Sequence, residues 1–223
     1  MYTIHTTPGF IIGSRPYGEA GKMLQIFTRD LGLVMVAAQG IRLEKSKLRY
    51  HTSDYSFGRF SLVRGKEIWR LTSAAEVFSM KYEVGGDKES VIPAPDIRRG
   101  QAPAGICAQE LDSLPHTPHA TLLVRMSVLL KRLLQGEDPH PELFDCLVST
   151  LETSRTIPVE RLPELESLVA LRILNLLGYI GNSDTIRPFV NTEPVSVELL
   201  SALSPLRLQV NGIINASLQA SQL

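Results

Sequence analysis

Along the first eighty residues, apolar side chains come in short runs and alternations bounded by glycine. Phe10-Ile11-Ile12 opens the pattern, Met23 to Thr28 is rich in strand formers, and Leu33 to Ala38 is a continuous apolar run between Gly32 and Gly40. Gly58, Phe60 and Leu62 alternate with Arg59, Ser61 and Val63, and Ile68 to Thr72 follows the turn signal Arg64-Gly65-Lys66. Five short strands separated by turn residues predict a small barrel or sandwich. A five-stranded Greek-key barrel of this size is an OB-fold, whose open face commonly binds oligonucleotides. Periodicity alone does not separate it from an SH3-like barrel.

The period then changes to helical. Leu122, Leu123, Met126, Leu129, Leu130, Leu133 and Leu134 form one stripe behind the start signal Thr117-Pro118, with Gly136 as a stop. A second helix starts near Asp138-Pro139 and carries Leu143, Phe144, Leu147, Val148 and Leu151. A third, Pro163 to Leu177, is apolar nearly all round, which predicts a central buried helix ended by Gly178. A short helix near 196–202 and a last one near 205–219, with Leu206, Val210, Ile213, Ile214 and Leu218 on one face, complete the chain. Between the two regimes, residues 81–117 are rich in Gly and Pro and read as a linker or irregular junction, with a short helix near 105–114. The fold class expected is α+β and multidomain: a five-stranded β-barrel over 1–80, then an all-α helical domain over 118–223.

Composition is ordinary for a globular chain of 223 residues, 43% hydrophobic and 21% charged. The formal net charge of zero conceals an asymmetry. Residues 1–70 hold eleven Lys and Arg against five Asp and Glu, and the rest of the chain balances that excess with acids. A basic part joined to an acidic part suggests a polyanionic partner for the first. Cys107 and Cys146 form no CxxC pair and read as buried free thiols, so neither a disulfide scaffold nor a metal site is expected. The N-terminus lacks a basic region ahead of its short apolar stretch, and no apolar run approaches the ~18 residues of a membrane helix, so a cytoplasmic protein without membrane contact is expected.

Motifs for catalysis are missing: there is no Walker loop, no G-x-G-x-x-G, no G-x-S-x-G and no H-E-x-x-H. His116 and His119 sit three apart, but Pro115 and Pro118 break the helix a metal pair needs, so they read as loop histidines near a helix start. The pairs Glu137-Asp138 and Glu164-Glu166 fall at expected helix N-termini, where the helix dipole favours acids. No catalytic residue, cofactor or metal is expected, and the chain reads as a non-enzyme.

The most informative segment runs from Gln39 to His51. Arg42, Lys45, Lys47 and Arg49 lie within eight residues, just after a strand and a glycine. A mobile basic loop at a barrel rim suits backbone phosphates, which demand charge but little geometry. Arg15 and Lys22, and from the later strands Arg59, Arg64, Lys66 and Arg70, are placed to extend the patch. Tyr17 and Tyr50 sit in loops beside bases, as stacking platforms for single strands require; Phe57, Phe60 and Trp69 are either platforms or barrel core. A rival reading is a scaffold whose barrel grips a protein partner instead of DNA.

The run Gly13 to Leu33, with its Tyr17-Gly18-Glu19 loop, apolar pair, Phe27-Thr28 and Gly32, resembles the opening of RecO proteins. So do the basic stretch Gly40 to Arg49, the segment Arg70-Leu71-Thr72-Ser73-Ala74, and in the second half Leu130 to Leu134, Pro141 to Phe144, Leu174 to Tyr179 and Ile213 to Leu218. The resemblance implies an N-terminal OB-fold and a C-terminal helical domain. It implies a recombination mediator in DNA repair that binds single- and double-stranded DNA, anneals complementary strands and, with RecR, helps load RecA onto DNA coated by single-stranded-DNA-binding protein (SSB), at the nucleoid. It further implies capture of the acidic C-terminal tail of SSB, for which Arg125, Lys131, Arg132 and Arg172 are candidates. Some members carry a four-cysteine zinc site; with only Cys146 in the helical part and Cys107 near the boundary, it is not expected here.

Overall fold

A computed structural model describes residues 3–79, 118–181, 185–190 and 195–220, with the side chains of 76–79 left aside. Five strands form the N-terminal part: β1 (Ile4–Tyr17), β2 (Gly21–Thr28), β3 (Gly32–Ala38), β4 (Ser56–Arg64) and β5 (Trp69–Ser79). They close in the order β1-β2-β3-β5-β4, antiparallel except for the β3–β5 pair. This is the OB-fold order, and it excludes the SH3-like alternative. Closure depends on β1, whose first half pairs with β4 and whose second half pairs with β2. A bulge between Ile11 and Gly13 changes its phase. Ile11 therefore joins Leu24, Ile26, Val34, Val36, Phe60 and Leu62 inside the barrel, while Phe10 and Ile12 turn outward.

The outward residues are nonetheless buried. Register places Phe57, Phe10 and Phe27 on one rung across β4, β1 and β2. The helices cover that rung. They are α1 (Pro118–Leu133), α2 (Pro141–Ser154), α3 (Leu162–Leu176), α4 (Arg187–Val190), α5 (Val197–Leu203) and α6 (Arg207–Ala220). Phe144 of α2 meets Phe27 at 5.7 Å and Phe57 at 6.1 Å between ring centroids. One apolar cluster thus runs from the outer barrel wall through the helical bundle. As its sequence predicts, α3 is the hub, touching α1, α2, α4, α5 and α6. Gly178, at φ +77°, ends it: the Gly178 amide donates to Asn175 O and the Tyr179 amide to Leu174 O, a Schellman cap.

Polar contacts fasten the same junction. Arg29, just past β2, places Nε and Nη2 each 2.9 Å from the Asp145 carboxylate of α2. Arg64 bonds Glu137, whose other oxygen accepts from Trp69 Nε1 at 3.1 Å. The Leu33 amide donates to Gly136 O at 3.2 Å. Gly32, at φ +71°, packs directly on the backbone ahead of α2: a β-carbon there would lie 2.6 Å from the Asp138 carbonyl carbon.

Several expectations need correction. Glu137 does not serve a helix N-terminus; it lies ahead of α2 and holds the barrel instead. Of the second pair, Glu164 is in the first turn of α3 but buried, accepting from Ser204 Oγ at 3.1 Å, and Glu166 binds Arg125 of α1. His119 is not a loop residue; it is buried on α1, its Nε2 3.2 Å from Ser154 O. As expected, Cys146 is a buried thiol outside any disulfide. His116, Cys107, the junction 81–117 and its short helix lie outside the described residues.

Candidate nucleic-acid interface

The site begins where the barrel ends. After β3 the chain turns at Gly40 and drives Ile41, 1% exposed, into the barrel's inner cluster. That plug ties down the connection between β3 and β4. The Arg42 amide donates to Ala20 O in the β1–β2 turn, and successive turns bond Leu43 to Gly40, Ser46 to Leu43 and Arg49 to Ser46. A 3-10 helix, Lys47–His51, comes next, and Thr52 Oγ1 donates back to Leu48 O. The segment read as a mobile loop is therefore a chain of hydrogen-bonded turns, and Tyr50 belongs to the 3-10 helix. Tyr17 ends β1 instead of lying in a loop.

This anchoring gathers charge from separate parts of the chain. Lys22 from β2, Arg42 after the plug and Arg49 from the 3-10 helix line one cavity of about 270 Å³, with Ile41 and Thr52 as its remaining walls. Among the described residues no carboxylate lines it. Lys45 and Lys47 are exposed on the same connection, and the acids of these segments, Glu19, Glu44 and Asp54, are exposed outside the cavity. Arg15 and Arg70 occupy the outer wall next to this mouth. Register carries one rung from Arg15 through Met23 and Ala37 to Arg70, so two arginines bracket the β2–β3 face. Among the described residues none of Arg15, Lys22, Arg42, Lys45, Lys47, Arg49 and Arg70 makes an ion pair.

Not every expected residue joins them. Arg59 is exposed on β4 but borders a different groove of about 230 Å³ between barrel and helices, with Pro8, Phe57, Phe144 and Leu151. Phe57, Phe60 and Trp69 are at most 8% exposed and face the junction or the barrel interior, so bases cannot stack on them. The four cations considered for an acidic tail scatter. Arg172 is 3% exposed with Nε 3.1 Å from Phe189 O, which corrects its placement on any surface. Arg125 is held by Glu166. Lys131 runs over Gly13 of β1, and Arg132 is half-buried near the end of α1. Sequence reasoning missed the Ile41 plug; its signal is a lone isoleucine between Gly40 and Arg42 in a polar stretch.

A closed OB-fold barrel whose outer wall is packed on an all-α bundle defines the class of protein. Models of one family match both parts: Recombination protein O N terminal over residues 1–80 and Recombination protein O C terminal over 119–184. The chain belongs to the RecO family. It is 36% identical over 150 residues to the DNA repair protein RecO of Dehalococcoides mccartyi (strain ATCC BAA-2266), covering 63% of this chain and 58% of that one. With the DNA repair protein RecO of Desulfitobacterium hafniense it shares 25% over 178 residues, 79% of this chain and 52% of the relative. With that of Alkaliphilus metalliredigens it shares 35% over 74 residues, 32% and 30% respectively. These matches span from under a third to somewhat over half of the relatives' length. No described helix is long and apolar enough to cross a membrane.

Proposed function

We propose that this chain is a recombination mediator of DNA repair that binds DNA backbone at the basic mouth of its barrel and anneals complementary strands. The observation that carries the reading is the convergence of Lys22, Arg42 and Arg49 on one cavity with no acid among its described lining residues. Two DNA strands repel each other. A surface that neutralises both raises their local concentration and leaves base pairing to supply the free energy. The work needs no reacting group, in keeping with a non-enzyme. Single- and double-stranded DNA are both ligands of such a surface, since both present phosphates.

The proposed partners, by resemblance to the RecO family, are RecR, SSB through its acidic tail, and RecA loaded indirectly, with the protein working at the nucleoid. For the tail, Lys131 and Arg132 at the end of α1 are the remaining candidates.

The test is fluorescence anisotropy of a labelled single-stranded oligonucleotide across a salt series. Affinity should fall steeply with salt, by about 0.7 in log–log slope for each phosphate contacted. Reversing Lys45, Lys47 and Arg49 to Glu together should abolish binding at moderate salt while the fold persists. Absence of binding at low salt would favour a barrel that grips a protein partner, for which the apolar groove beside Arg59 is the available surface.

A further inference from the structure

The groove between barrel and helices carries a charge pattern of its own. Two acids of α2, Asp145 and Glu152, are seven residues apart, two turns along one face of the helix. Two arginines stand on the barrel side: Arg29 just past β2, and Arg59 on β4. Strand β1 lies between them, and its Pro8 joins the row: the Arg29 amide donates to Pro8 O, and Pro8 is the register partner of Arg59. All four charged residues border the groove. The first pair is made, with Arg29 Nη2 2.9 Å from the Asp145 carboxylate. The second is not. Arg59 and Glu152 are exposed, and among the described residues neither makes an ion pair. The rest of the lining is apolar, chiefly Phe57, Phe144, Val148 and Leu151.

Size, polarity and sign together select an occupant. The groove, about 230 Å³, is smaller than the roughly 300–1,000 Å³ of pockets for cofactors and small molecules, and has the scale of one large side chain. DNA is unsuited to it, because two carboxylates border the groove and repel phosphates. A uniformly acidic peptide would satisfy Arg59 and leave Glu152 facing a like charge, and a uniformly basic one would do the reverse. We propose that the groove is a docking site for a protein segment that inserts one large apolar side chain and brings one acid to Arg59 and one base to Glu152. An apolar anchor in a pocket under a charged rim is the anatomy of a protein interface. The Arg29–Asp145 pair fixes the two walls against each other, so the groove is formed before the segment arrives. The proposal stands apart from DNA binding at the mouth, which is lined by other residues.

The experiment titrates the whole chain with capped tripeptides and follows the methyl resonances of Val148 and Leu151 by NMR. One peptide has phenylalanine between aspartate and lysine. A second has alanine in place of the phenylalanine, a third has two aspartates around phenylalanine, and a fourth has two lysines. The mixed phenylalanine peptide should bind tightest. Alanine should weaken it about tenfold or more, and two like charges about threefold. Glu152→Arg should make the doubly acidic peptide the tightest, and Arg59→Glu the doubly basic one; both residues are exposed, so the fold persists. The proposal fails if the parent prefers a peptide with two like charges, if the alanine peptide binds as well, or if no peptide moves these resonances. It also fails if either charge variant tightens all four peptides alike, since Arg59 and Glu152 then latch the groove against each other in the parent.

Discussion

The barrel carries arginine and lysine in two settings, and they are treated in opposite ways. At the junction with the helices, Arg29 and Arg64 are both matched by carboxylates, Asp145 and Glu137. At the mouth, Lys22, Arg42 and Arg49 converge, and among the described residues no acid joins them and Arg15 and Arg70 flank them without an ion pair. Mutual repulsion makes such a cluster unfavourable for folding, so its presence is not explained by stability. Charges that assemble the molecule are already satisfied; charges left open are available to a ligand. The apolar residues divide the same way. The phenylalanine rung of the outer wall is sealed under α2, whereas Tyr17, Leu43 and Tyr50 remain in solvent.

The strongest way to break this contrast is to attack the sealed side. Phe144→Ala opens a cavity between Phe27 and Phe57 and should cost about 3–5 kcal/mol. If barrel and bundle share one core, both should lose stability together. The chain's single tryptophan, Trp69, lies 5% exposed in the barrel, so its fluorescence reports the strands while far-ultraviolet circular dichroism reports the helices. Coincident urea transitions, both shifted by the substitution, are expected. A bundle that melts while Trp69 stays buried would show that the junction is only a contact between independent units.

A smaller effect comes from removing one arginine on each side. Arg42→Ala should leave stability within about 0.5 kcal/mol of the parent and flatten the salt dependence of single-strand binding by about 0.7 in slope. Arg64→Ala should do the reverse. It removes the partner of Glu137 and a guanidinium 5.0 Å from the Trp69 ring, at a cost of at most about 1 kcal/mol for so exposed a pair, with the salt slope unchanged. Equal loss of DNA affinity in the two variants would erase the distinction between assembling and binding charges.

How much of this is readable from the chain alone depends on which interactions decide a position. Strand runs such as Leu33 to Ala38 and the all-round apolar α3 are legible because local periodicity and burial agree there. The bulge at Ile12 is not, since a single residue of slip leaves no compositional trace and three consecutive apolar residues fit either phase. Register is equally hidden. Nothing local says that Phe57, Phe10 and Phe27 share a rung, or that Arg15 and Arg70 do, because those relations join strands that are distant in sequence. For the site, the cluster Arg42 to Arg49 is visible as charge density, but the contribution of Lys22 requires the turn that binds Arg42 to Ala20. Arg172 is misplaced for the opposite reason: an arginine in an apolar helix looks like a surface charge until its hydrogen bond to Phe189 O is seen. Strand membership alone groups Arg59 with the mouth, and the barrel's curvature carries it to another groove.

The smallest test concerns the sign of a titration at the junction. Hydrogen bonds from Arg29 hold the Asp145 carboxyl below its ordinary value, and partial burial opposes them without cancelling the effect. A carboxylate whose pKa is lower in the folded than in the unfolded chain binds fewer protons when folded. Its contribution to stability is therefore fully present above the unfolded carboxylate range, roughly pH 4, and is lost as pH falls through the lowered folded value. Asp145→Asn removes that dependence while keeping shape. The urea midpoints of parent and variant should differ most at neutral pH, with the parent higher, and should converge as the solution is acidified to about pH 2, because every other carboxylate acts on both proteins alike. The gap should be small, since both side chains are substantially exposed, and it should shrink in high salt. A gap that stays constant from neutral to acid pH would mean that Asp145 acts through packing and not through charge, and the pairing of Arg29 would then lose its place in the contrast with the open mouth.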